Sequence, residues 1–243
     1  SADRKKILVI GAGPSGMEAA RLLAMQGHHV EVWEKDKDIG GTVRVAALAY
    51  EPNGHLISYL KNSLSKLGVK IKMNTLGTPE TIKTFNPDHV VIAVGANRDA
   101  PAIKGKDSKN VFDGEELRGL LFGRDLNAIK KLSLVQQIIL KIGRASQLLR
   151  NINVLRFLSK LWMPLSKNII IIGGDLVGLE LAEFLVARGR KVKVLEPTGS
   201  LGPNLSIVRR SRVVHLLKEH GVDLLTNVDI KEIRGQEVFV HHE

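Results

Sequence analysis

The spacing of apolar positions changes repeatedly along this chain, and each change marks an element. Ile7-Leu8-Val9-Ile10 is a short apolar run rich in β-branched residues, the pattern of a strand. It enters Gly11-Ala12-Gly13-Pro14-Ser15-Gly16, after which Met17 to Leu23 takes up helical spacing. His29 to Trp33 returns to a strand pattern and closes on Glu34. Leu56, Ile57, Leu60, Leu64 and Leu67 predict a helix over 55–67, with Pro52-Asn53-Gly54 breaking the chain before it and Gly68 ending it. Val69 to Met73 alternates as a strand, and 81–85 reads as a connector or short helix. His89 to Ala96 reads as a buried parallel strand running into a glycine turn. Residues 101–119, with Pro101 and Gly105, form a connecting stretch. From Leu132 to Trp162, Val135, Ile138, Ile142, Leu148, Ile152, Leu155 and Leu158 recur three or four apart with charges between them. One or two amphipathic helices are expected there, with Gly143 as the break.

The chain then repeats itself. Asn168 to Ile172 is a second apolar run, Gly173-Gly174-Asp175-Leu176-Val177-Gly178 a second glycine turn, and Leu179 to Leu185 a second helix. Lys191 to Leu195 is a strand closed by Glu196. Gly11, Gly16 and Glu34 map onto Gly173, Gly178 and Glu196 with one offset of 162 residues. A repeat this regular identifies two copies of one supersecondary unit. Gly95 lies 61 residues beyond Glu34, and the same spacing from Glu196 passes the end at Glu243, so the second copy is expected to be truncated. It closes on a hairpin pattern, Val228 to Ile233 and Glu237 to Val240. The expected fold is α/β, with two Rossmann-like doubly wound parallel-sheet domains. Their boundaries are 1–119 and 167–243, joined by a basic helical segment over 120–166.

Strand, G-x-G-x-x-G and helix form a dinucleotide-binding pattern with a physical reason for each glycine. Gly11 allows the turn out of the strand, Gly13 admits a pyrophosphate where a Cβ would stand, and Gly16 lets helix and strand approach. The N-terminus of the helix then offers free N–H groups and a positive dipole end to the phosphates. Glu34 can accept hydrogen bonds from a ribose and repels a 2′-phosphate. Gly40 and Gly41 allow backbone near a bulky planar group, beyond the bland reading of an ordinary turn. Pro14, Ser15, Lys35, Thr42, Gly95 and Ala96 complete the expected first site, for FAD or ADP. The second site would use Gly173, Gly174, Asp175, Gly178 and Glu196 for NADH or NAD. Asp175 stands at the middle glycine position, where bulk and negative charge oppose a pyrophosphate; its bland role is a helix N-cap. Glu196 favours NADH over NADPH.

Composition narrows the chemistry further. Length 243 with 44% hydrophobic residues suffices for one large or two small cores. There is no cysteine, which excludes disulfides, Cys-x-x-Cys redox pairs and thiolate metal sites within this sequence, so redox chemistry here requires an organic cofactor. No apolar run reaches the roughly 18 residues of a membrane span, and no signal-peptide core follows Asp3-Arg4-Lys5-Lys6; a cytoplasmic location is the expectation. The net charge of +11 is local: residues 120–167 hold nine Lys or Arg against Asp125. No nucleic acid is expected, and a homo-oligomer is compatible with the sequence. The basic helices have three readings: an excursion packed on a neighbouring domain, a membrane-surface helix, or a dock for an acidic or phosphorylated partner. The eight histidines show no metal or triad spacing; His28-His29 and His241-His242 read as surface pairs, and no catalytic side chain is assigned.

The two nested nucleotide patterns resemble the pyridine-nucleotide flavoprotein superfamily with FAD and NAD(P) domains. Ile39 to Ala47, Leu67 to Ile71, Pro87 to Gly95 and Trp162-Met163-Pro164-Leu165 resemble the carboxy-terminal half of the 2,4-dienoyl-CoA reductase and 2-enoate reductase type of old yellow enzyme relative. That resemblance implies an electron-input module taking hydride from NAD(P)H onto FAD. It also implies a separate TIM-barrel partner domain with FMN and a 4Fe-4S cluster, which reduces an enoate or enoyl-CoA type substrate. Some relatives hold only ADP in the first site, so a non-catalytic ADP-binding scaffold is the first alternative. A basic membrane- or partner-binding protein is the second.

Overall fold

The computed structural model describes residues 3–96, 101–122, 126–145 and 151–242. The chain forms two compact units, Ser1–Asn97 and Arg98–Glu243.

In the first unit β1 (Lys6–Ile10) leads into α1 (Pro14–Met25) and β2 (His29–Trp33). Then come α2 (Gly41–Ala49), α3 (Pro52–Lys66), β3 (Lys70–Lys72), α4 (Pro79–Phe85) and β4 (His89–Ile92). The strands lie in the order β3-β2-β1-β4, all parallel, which obliges the chain to cross over through its helices. On one face Val9 and Val32 meet Met17 and Ala20 of α1 and Leu60 and Leu64 of α3. On the other, Leu8, Ile10 and Trp33 pack with Ile82 and Phe85 of α4.

Two features of this unit depart from expectation. Pro52 opens α3 instead of breaking the chain before it, because its missing N–H is needed by no partner in a first turn. The paired glycines run directly into α2. β4 is parallel as expected but not buried: it pairs only with β1 among the described residues, and Ile92 is 74% exposed.

The second unit begins with helices α5 (Gly114–Leu121), α6 (Leu126–Lys130), α7 (Leu134–Ala145) and α8 (Ile152–Leu161). β5 (Asn168–Ile172), α9 (Leu176–Val186), β6 (Lys191–Leu195), α10 (Ile207–Glu219) and β7 (Asp223–Leu225) follow, and β8 (Val228–Arg234) and β9 (Glu237–His242) close it. β5-β6-β7 is a parallel sheet, and β8 and β9 form the expected antiparallel hairpin. The connecting stretch holds one helix, α5, because Asp113 caps it: the Glu116 N–H donates to Asp113 Oδ1 at 2.8 Å and the Asp113 N–H to Glu116 Oε2 at 3.2 Å.

Gly143 does not break the basic segment; it lies within α7, at a cost of about 1 kcal/mol relative to alanine that a helix of this length absorbs. Leu148 and Asp125 lie outside the described residues. α7 buries Leu140 against Leu120, Ala128, Ile129 and Leu132, and leaves Leu134, Val135, Ile138, Ile139 and Ile142 exposed. Arg188, just past α9, is buried over the Phe184 ring, donates from Nε to Ser159 Oγ at 2.9 Å, and thereby ties α8 to α9. Burial, followed by repulsion from Arg156, pulls its guanidinium down to about 10.

Candidate nucleotide-binding sites

In the first unit the glycine loop is held from three sides. Gly11 has φ +103°, and its N–H donates to Trp33 O at 2.8 Å, so the loop leaves β1 while still laddered to β2. A Cβ on Gly11 would fall 2.3 Å from Ala93 O, where the chain leaves β4. A Cβ on Gly16 would fall 1.9 Å from Gly11 O, so α1 rests directly on the turn. Gly40 donates its N–H to Ala12 O at 2.8 Å, and Gly41 lies close against Gly13, where an added Cβ would stand only 3.3 Å from Gly13 Cα. The paired glycines therefore face the G-x-G-x-x-G loop.

Gly13 differs from its neighbours. Its backbone is extended, with φ −72° and ψ 177°, and a Cβ built there would have nothing within 4 Å. No conformational or packing demand of the fold requires glycine at this position, and the open space lies at the N-terminus of α1. That helix has no side-chain cap and no acid in its first turn, so its dipole end is unneutralised by the protein itself. A cradle that a Cβ would enter, at an uncapped helix start, fits a dinucleotide pyrophosphate.

Glu34 is buried and has a role that spacing alone did not reveal. It accepts the Ala12 N–H on Oε2 at 2.7 Å and the Asp36 N–H on Oε1 at 2.8 Å. It therefore clamps the glycine loop to the end of β2. Each carboxylate oxygen keeps further lone-pair capacity for a ribose hydroxyl. Pro14 opens α1, while Ser15, Lys35 and Thr42 are exposed around this loop. Gly95 (φ +79°) and Ala96 lie exposed past β4, two and three residues beyond the Ala93 that abuts Gly11.

The second unit repeats these bonds atom for atom. Gly173 donates its N–H to Leu195 O at 2.8 Å, and a Cβ on Gly178 would fall 1.9 Å from Gly173 O. Glu196 accepts the Gly174 N–H at 2.6 Å and the Thr198 N–H at 2.8 Å, as Glu34 does with Ala12 and Asp36. Gly202 donates to Gly174 O at 2.8 Å, as Gly40 does to Ala12 O. Gly202 thus matches Gly40, an equivalence hidden in the sequence because no second glycine follows it.

Asp175 occupies the N-cap position of α9, yet its side chain caps nothing. It accepts instead from Asn204, at 2.6 Å from the side-chain amide and 3.4 Å from the backbone N–H. The expected N-cap bond is therefore corrected: the loop after β6 brings a better donor to the carboxylate than the first turn of its own helix.

Burial opposes the charge of Glu196, but hydrogen bonds from the Thr198 hydroxyl and the Gly174 and Thr198 N–H groups outweigh it and hold the carboxyl below its ordinary value. A lowered folded-state value adds stability that is present above the unfolded carboxyl range, about pH 4.3, and is lost as pH falls through the folded value. Thermal unfolding followed from pH 6 to about pH 3 should therefore drop more steeply in the wild type than in Glu196→Gln. Parallel curves would show that this carboxylate does not stabilise the turn.

Known proteins resemble this chain across both units. The family model described as pyridine nucleotide-disulphide oxidoreductase matches residues 5–243. Bilirubin reductase of Mediterraneibacter gnavus is 28% identical over 240 residues, covering 98% of this chain and 31% of that protein. Cinnamate reductase of Clostridium sporogenes is 28% identical over 225 residues, covering 90% of this chain and 27% of that protein. A solved 2-naphthoyl-CoA reductase complex superposes with a TM-score of 0.77 at 30% identity, covering 100% of this chain and 31% of that one. The chain thus spans about a third of the length of the relatives it matches. With two glycine-loop units of parallel-sheet architecture and a family match across nearly its whole length, the chain belongs to the pyridine nucleotide-disulphide oxidoreductases, the two-domain flavoprotein family.

Proposed function

We propose that this chain is the electron-input module of a flavin-dependent oxidoreductase, with FAD on the first unit and NADH on the second. The observation that carries this reading is the open space at Gly13, at an uncapped helix start and between two facing glycine turns. Gly11, Gly13, Pro14, Ser15, Gly16, Glu34, Lys35, Gly40, Gly41, Thr42, Gly95 and Ala96 would hold FAD, or its ADP half. Gly173, Gly174, Asp175, Gly178 and Glu196 would face NADH. When bound, FAD supplies hydride acceptance and onward electron release. The chain itself binds and orients: helix N-termini offer N–H groups to phosphates, and the two buried glutamates fix the loops and exclude a 2′-phosphate.

With no cysteine, the dithiol chemistry in the family's name has no thiol within this chain, which leaves transfer between cofactors. Electrons would pass to a barrel domain of the same polypeptide or complex carrying FMN and a 4Fe-4S cluster, and so to an enoate or enoyl-CoA type substrate. Relatives bearing the names cinnamate reductase and 2-naphthoyl-CoA reductase support that substrate class. A second reading, favoured by Asp175, is a non-catalytic scaffold that retains ADP. Among the described residues no helix is long and apolar enough to cross a membrane, and no cluster of metal-ligating side chains is present.

Absorbance of the purified protein after incubation with FAD separates these readings. The module should retain a flavin spectrum that NADH bleaches more readily than NADPH. Retention of ADP with no flavin uptake would favour the scaffold, and retention of neither would defeat both.

A further inference from the structure

The offset that relates the two glycine turns extends to a pair of positions with opposite contents. Gly13 and Thr42 of the first unit correspond to Asp175 and Asn204 of the second. The correspondence is structural as well as numerical, because the Gly40-to-Ala12 and Gly202-to-Gly174 hydrogen bonds, both 2.8 Å, tie the loop after the second strand of each unit to its glycine turn at the same place. In the first unit the space over Gly13 is open. In the second the equivalent space receives a carboxylate, and Asn204 reaches across the turn to hold it at 2.6 Å. The flank is closed too: a Cβ on Gly174 would fall 2.5 Å from Leu201 Cδ2 and 3.0 Å from Glu196 Cβ.

We infer that the Asp175 carboxylate, held by Asn204, is a built-in anion seated where a dinucleotide pyrophosphate approaches the start of α9, so that NADH enters the second unit only by displacing this pair. The inference rests on the reading of that unit as a nicotinamide site. Its chemistry is substitution of like for like. A helix start attracts one anion, and a carboxylate already placed there both neutralises the dipole end and repels the phosphates that would replace it. The Asn204 hydrogen bond, ahead of the opposing effect of burial, keeps Asp175 below the usual carboxylate range, so it stays charged at neutral pH. The pair lies at the surface, which leaves it displaceable rather than locked in a core. Asp175 and Asn204 together would thus set nicotinamide affinity without touching the reacting ring.

NADH titration monitored by calorimetry or by nicotinamide fluorescence tests this on the whole protein, with FAD or ADP binding at the first unit as the control for folding. Asp175→Gly should tighten NADH by about tenfold or more. Asp175→Asn, which keeps the bulk and the helix start but removes the charge, should give an intermediate gain. Asn204→Ala should change NADH affinity in the wild-type background and leave it unchanged in Asp175→Gly, since the two act as one unit. Wild type and Asp175→Gly binding NADH equally would overturn the inference while leaving the nicotinamide site standing. No binding by any variant, with the first unit still loading, would overturn the nicotinamide reading and the inference with it.

Discussion

Gly16→Ala is expected to destabilise the first unit by about 3 kcal/mol or more, despite replacing glycine by the best helix former. Inside a helix that exchange alone would add about 1 kcal/mol of stability. The opposing effect is larger, because the new methyl would stand 1.9 Å from Gly11 O and 3.2 Å from Ala93 Cβ. Neither neighbour is the free end of a flexible side chain. Gly11 is held by its bond to Trp33 O, and Ala93 by its bond to Ile10 O at 2.8 Å. Relief therefore requires α1 to lift from β1, which opens the contacts of Met17 and Ala20 with Val9 and Val32. Urea unfolding should show a large fall in midpoint with an unchanged slope. A midpoint equal to wild type would mean that α1 does not rest on the turn.

Gly13→Ala should do the reverse. Its φ of −72° and ψ of 177° suit any residue, and the added methyl meets nothing within 4 Å, so stability should stay within about 0.5 kcal/mol of wild type. Affinity for FAD or ADP should fall about a hundredfold, equivalent to about 2.7 kcal/mol, because the methyl enters the space assigned to the pyrophosphate. Two alanine substitutions three residues apart thus separate the loop's architecture from its binding. Unaltered affinity in Gly13→Ala would place the phosphates elsewhere, and a large loss of stability would show that the space is not open.

The glycine turns, the strands that feed them and the acids that close the second strands were legible because their chemistry is local. A turn needs glycine at fixed steps, and a buried parallel strand needs an unbroken apolar run. The clamps made by Glu34 and Glu196 were not legible, since the same residue type at the same place also suits a ribose, and only the bonds to Ala12 and Gly174 show the structural duty. α10 is faint in the sequence because Ile207 and Val208 are exposed while Leu217 is its buried side chain, which leaves a weak amphipathic signal amid arginines. The exposure of β4 was hidden for a different reason. Val90, Ile92 and Val94 form a core-like run, but a strand's neighbours are set by topology, and β4 pairs on one side only among the described residues. Asp175 stands out in its glycine turn, yet its partner Asn204 lies 29 residues away in a turn with no periodic signal.

On the proposed reading, two copies of one fold carry unequal nucleotide sites, the first open and the second occupied by its own carboxylate. Calorimetric titration of ADP into the purified protein addresses that inequality directly. Saturable binding is expected at one site per chain, abolished or strongly weakened by Gly13→Ala and unaffected at that site by Asp175→Asn. No heat of binding, or two equivalent sites per chain, would refute the inequality.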